Sequence, residues 1–98
     1  MIQVLSNEEF ERLLKQRYMQ LEKNCKLSPK ASYNQYIDWF IKRFDIYYKK
    51  YWLAFHLFLN NRGFTYTTCK IRDDIEYTLK KKEEKTFMKF LYWNQQHV

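Results

Sequence analysis

The sequence predicts a mainly α-helical protein, a small three- to four-helix bundle around one long central helix over residues 33–60. Three observations carry that expectation. One glycine (Gly63) and one proline (Pro29) in 98 residues leave too little turn punctuation for an all-β domain. Hydrophobic residues make up 46% of the chain and aromatics 20%, so a packed core is expected rather than a disordered tail. Apolar residues then recur at spacings of three and four, the period of a helix with one buried face. A chain this short has room for one core, so residues 1–98 read as a single basic helical domain.

The first helix is expected over residues 7–24. Ser6 and Glu9 have the spacing of a capping box, Leu5 and Phe10 that of a hydrophobic staple, and Leu13, Leu14, Tyr18 and Leu21 continue the apolar face. A second helix begins by residue 33, after Ser28 ahead of Pro29, or after the alternative capping box of Ser32 and Gln35. No breaker follows before Asn61, Arg62 and Gly63, so it is expected to run unbroken to about residue 60, a rod of about 40 Å. Advancing about 100° per residue places Tyr33, Tyr36, Ile37, Phe40, Ile41, Phe44, Tyr47, Tyr48, Tyr51, Ala54, Phe55, Phe58 and Leu59 in one arc, the expected core. Asp38, Lys42, Asp45, Lys49, His56 and Asn60 line the opposite, solvated stripe. After Gly63, the β-branched alternation of residues 64–71 suits a short strand, which residues 2–5 would pair with in a two-strand ribbon (2–5 with 64–70). Asp73 then resembles an N-cap for a last helix reaching about Trp93, with a bend expected near Lys82.

Between the core arc and the solvated stripe of the central helix lies a second apolar patch of Trp39, Ile46, Leu53 and Leu57, flanked by Arg43 and Lys50. An amphipathic helix needs one apolar face, so a second one calls for another cover. These six residues are the candidate partner-binding site. The partner expected is another protein or a second copy of this chain, and the function a non-enzymatic regulator: an inhibitor, an immunity-type protein or a small subunit of a larger assembly.

The net charge of +7 and pI near 9.4 favour polyanionic partners and raise the alternative, a small nucleic-acid-binding regulator. Arg43, Lys49, Lys50, Lys70, Arg72, Lys80, Lys81 and Lys82 are its candidate phosphate contacts. Against it, the excess is spread evenly: six basic and four acidic residues in 1–30, four and two in 31–60, eight and five in 61–98. Lys80, Lys81 and Lys82 also point about 100° apart on a helix and share no single face. A helix-turn-helix alignment on Gly63 fails, because Cys69 and Arg72 fall where apolar residues belong.

Catalysis finds little support. His56, His97, Cys25 and Cys69 have no metal-ligand spacing, and no cysteine-nucleophile signature surrounds either thiol. One glycine cannot build a phosphate-cradling loop. No catalytic residue, metal, cofactor or small-molecule substrate is expected. The two cysteines do not make a secreted disulfide framework. The N-terminus does not read as a signal peptide, and the longest uncharged run, residues 51–61, is too short to span a bilayer. A cytoplasmic or nuclear protein without a membrane partner is the expectation.

Overall fold

A computed structural model describes residues 6–96, with side chains placed for residues 6–93. Four helices follow in order: α1 (Asn7–Asn24), α2 (Tyr33–Phe44), α3 (Tyr48–Asn61) and α4 (Thr68–Gln96). The small all-helical bundle expected from the pattern is present, and no strand occurs among the described residues.

Local chemistry sets the helix ends. Ser6 accepts from the Glu9 amide at 3.2 Å and starts α1. At α2 the capping box closes in both directions, the Gln35 amide donating to the Ser32 hydroxyl and the Ser32 amide to the Gln35 side chain. Helix α3 ends in a Schellman motif: the Gly63 amide donates to the Asn60 carbonyl and the Phe64 amide to the Leu59 carbonyl. Gly63 sits at φ 92°, where a side chain would strain the backbone.

The unbroken rod over residues 33–60 is corrected by a turn at residues 45–47. Tyr47 leaves the helical region at φ −109°, ψ 11°, and its amide reaches back only three residues, to the Phe44 carbonyl at 2.9 Å. Side-chain packing makes the correction unambiguous. The rings of Phe40 and Phe55 stack with centroids 4.0 Å apart, whereas fifteen residues of continuous helix would separate them by about 22 Å. Phe44 meets Tyr51 at 4.9 Å and Tyr36 meets Phe58 at 5.8 Å, so α2 and α3 form an antiparallel αα-hairpin. Neither glycine nor proline marks the turn. Its cause is the arc itself: a straight rod would leave an aromatic stripe about 40 Å long in water, and folding it in half makes the stripe cover itself.

Every buried residue of the hairpin comes from the expected arc: Tyr36, Ile37, Phe40, Ile41, Phe44, Ala54, Phe55, Phe58 and Leu59. Tyr47, expected in the core, lies in the turn and is exposed. Helix α1 closes one side with Leu21 buried and Leu14 and Tyr18 packed behind it. Polar contacts hold it there: Arg17 donates to the Lys50 carbonyl at 2.8 Å, Asn61 donates to the Tyr18 hydroxyl at 2.8 Å, and Tyr51 donates to Gln20. Arg62 grips Glu22 through two bonds of 2.7 and 3.1 Å.

Helix α4 closes the other side with Ile71 and Ile75 buried and Leu79 against them. The ribbon expected over residues 64–70 is corrected: residues 64–67 are a linker and the helix has begun by Thr68. The N-cap expected at Asp73 is displaced six residues earlier, to Thr67, whose hydroxyl accepts from the Lys70 amide at 3.2 Å. The helix turns Ile71, Ile75 and Leu79, each four residues apart, toward the core. The helix continues through Lys82 without a break. The proposed partner strand, residues 2–5, lies outside the described residues.

Candidate functional site

The six residues of the central-helix patch shared a face only while that helix was continuous, and the turn at 45–47 separates them. Trp39 turns inward and packs against Phe44, Phe55 and Phe58, its ring 5.6 Å from that of Phe58. Arg43 donates to the Asn24 side chain of α1 at 3.3 Å. Ile46 stands in the turn and is 82% exposed. Lys50 lies over the Tyr47 ring, Leu53 is half-buried, and Leu57 lines a shallow groove beside Leu14 and Tyr18 of α1. Much of the surplus apolar surface inferred from the rod is therefore covered by the chain itself.

The larger apolar surface lies on α4. Its first dozen residues turn one face to the core through Ile71, Ile75 and Leu79, but from Lys80 to the last described side chain every residue is exposed. This arm carries Phe87, Met88, Phe90, Leu91, Tyr92 and Trp93, all counted among the exposed large hydrophobics. At about 100° per residue, Phe87 and Leu91 share one face, Met88 and Tyr92 the next, and Phe90 a third, so the arm is apolar on several sides. Where it leaves the bundle, a groove of about 780 Å³ opens between the arm and the start of α3, with Tyr48, Leu79, Phe87 and Phe90 as its apolar lining. Charges of both signs rim it: Asp45, Glu76 and Glu83 with Lys80 and Lys82. Lys82 is paired with Asp45 at 3.3 Å and ties the arm's root to the hairpin turn.

A second groove, of about 850 Å³, runs between α2 and α4 and differs in chemistry. Six lysines line it against two aspartates, Asp38 and Asp74. At its inner end the Tyr33 hydroxyl donates to Asp74 at 2.5 Å, and Lys70 approaches the same carboxylate oxygen at 3.0 Å. Burial and the Asp74 carboxylate together push the Tyr33 phenol well above the ordinary tyrosine range. Lys81 lies 4.6 Å from the centre of the exposed Tyr77 ring, and a hydrogen bond to Tyr77 raises its ammonium group's pKa.

No known protein family matches this chain, and no curated protein or solved structure is significantly similar to it. The fold and these surfaces are thus the grounds for a functional reading.

Of the eight basic residues that the sequence suggested as phosphate contacts, only Lys70, Lys81 and Lys82 line the α2/α4 groove. Lys49 and Arg72 line a separate small pocket beside Trp52, and Lys80 faces the apolar groove. Lys42, Lys85 and Lys89 complete the basic groove and lie outside that set of eight. A sequence signal existed: Tyr77, Lys81, Lys85 and Lys89 recur every four residues, one helical stripe.

His56, expected in solvent, is half-buried, with Nε2 3.2 Å from the Tyr66 carbonyl and 3.1 Å from Asn60. Cys25 packs against the core and Cys69 is exposed, both as free thiols. Among the described residues no three His, Cys, Asp or Glu side chains converge as a metal ion would require, and no helix is long and apolar enough to cross a membrane.

Proposed function

We propose that this chain is a non-enzymatic interaction protein that docks through the α4 arm and the apolar groove at its root. The observation that carries the reading is the exposure of Phe87, Met88, Phe90, Leu91 and Tyr92 within two turns of one helix. Scattered exposed hydrophobics are ordinary, but a contiguous cluster of this size marks an interface. A helical segment of this length is also marginal in isolation, so a partner that covers the arm would stabilise its conformation. Aromatic residues of this kind dominate binding hot spots.

The surface suits a second copy of the chain. Two arms laid against each other would bury on the order of 1,000 Å² over both molecules, near the lower bound for a stable interface. The mixed charges at the groove rim, Asp45, Glu76 and Glu83 with Lys80 and Lys82, could pair with the same set on a symmetry-related molecule, as a two-fold interface requires. Light scattering across micromolar to millimolar concentrations tests this. The wild type should dimerise, and Phe87→Asp with Leu91→Asp should give a monomer whose helical circular dichroism for the bundle is retained. A wild type that stays monomeric throughout, with arm amides exchanging as fast as in the double variant, contradicts the reading.

A further inference from the structure

The basic groove between α2 and α4 adjoins the apolar docking surface, sharing Lys82 and Thr86 with it, but its chemistry points to a different ligand. We infer that it binds the phosphate backbone of a nucleic acid. On one wall, Lys81, Lys85 and Lys89 stand at four-residue intervals, one cation for each step of about 6 Å along the helix. Lys42 projects from the α2 wall, and Lys70 and Lys82 also line the groove.

Two of these charges are already answered within the chain: Lys70 pairs with Asp74 and Lys82 with Asp45. Lys42, Lys85 and Lys89 have no acidic partner among the described residues. Like charges at four-residue spacing repel, so a stripe of them next to a further lysine is a feature that an added polyanion relieves. Asn34 supplies a neutral donor along the same groove, the kind that accompanies lysine at phosphate oxygens. At one end Tyr77 is exposed in line with the lysines and offers a ring face on which a base can stack. A flat anionic membrane would not reach cations arrayed on two facing walls as a linear polyanion does. An acidic peptide would leave the stacking face unused.

Fluorescence anisotropy with the full chain and a labelled oligonucleotide, single-stranded and then duplex, tests the inference. The affinity should fall steeply with salt, each neutralised phosphate contributing about −0.7 (single strand) to −0.9 (duplex) to the slope of log affinity against log salt. The triple variant Lys42→Gln, Lys85→Gln, Lys89→Gln should make the slope shallower by about 2 and weaken all sequences alike. Arg12→Gln, Lys15→Gln, Lys23→Gln, which removes the same charge from α1, should leave the slope in place. The inference is overturned by any of three results: no binding at low salt, equal loss in both triple variants, or equal affinity with the same salt slope for polyglutamate or for anionic vesicles. All three groove substitutions are at exposed positions, and circular dichroism verifies that the variants remain folded.

Discussion

At the residue scale, the Glu22 and Arg62 pair shows how a surface contact reports on packing. The hydrogen bond from the Arg62 guanidinium holds the Glu22 carboxyl below its ordinary value of 4.5, so the folded state binds that proton less readily than the unfolded chain. The pair's stabilisation is therefore present above the unfolded value and is lost as pH falls through the lower folded one. Because both side chains are partly exposed, the expected contribution is below about 1 kcal/mol. Glu22→Gln should lower the urea midpoint at neutral pH, and the gap from the wild type should close as the pH falls below the depressed folded value, where both side chains are uncharged at this position. A gap that stays constant with pH would mean that the carboxylate adds nothing to the anchoring of α1. Arg62 also lies over the Phe58 ring at 3.8 Å, so its own replacement would disturb more than the ion pair.

At the scale of elements, α4 is one helix with two environments. Its first part is pinned by Ile71, Ile75 and Leu79 in the core and by Asp74 to Tyr33, while in its later part the Lys82 to Asp45 pair ties the root to the hairpin and the side chains from Lys80 to Trp93 are exposed. Hydrogen bonding within a helix does not by itself confer stability, because nucleation and fraying set local opening where packing is absent. Amide exchange in a monomeric preparation should therefore be slow through residues 71–79 and markedly faster through 83–93. Uniform protection along the whole of α4 in a monomer would remove the reason to assign the arm a partner. The α2/α3 hairpin shows the opposite case. No residue at 45–47 is a helix breaker, yet the turn forms there because the stacked aromatics at Phe40, Phe44, Tyr51 and Phe55 outweigh the helical bonds given up at three residues.

At the scale of the whole molecule, the radius of gyration is 16.6 Å, against about 13 Å for a compact domain of 100 residues. Its accessible surface of 8118 Å² likewise exceeds the roughly 6,100 Å² of a typical monomer of this mass. An extended arm on a small bundle accounts for both. With one compact core among α1, the hairpin and the start of α4, stability depends on few side chains. Phe40→Ala should cost about 3 to 5 kcal/mol, a large share of the total for a domain of this size. The expected outcome is loss of a cooperative thermal transition or a fall of many degrees in its midpoint, measured by circular dichroism. Retention of the wild-type midpoint would mean that the Phe40 and Phe55 stack is not the centre of the fold.

The all-helical class, the limits of α1, the capping box at Ser32 and the buried arc from Tyr36 to Leu59 were all legible in the sequence. Each depends on neighbours three or four residues away, and helical periodicity records such relations directly. The turn at 45–47, the early start of α4 at Thr68 and the separation of Trp39 from Leu57 were not legible, because they follow from which distant surfaces cover one another. The two candidate surfaces divide in the same way. The lysine stripe from Lys81 to Lys89 lies within one helix and could be read from spacing, but its facing wall at Lys42 comes from the packing of α2 on α4. The apolar character of residues 87–93 was plain from composition, whereas their exposure was decided by the length of α4 relative to the bundle it leaves. Residue order alone determined the helices and their greasy faces. Tertiary structure decided which faces meet and which remain in water, because burial is non-directional and is settled between segments far apart along the chain.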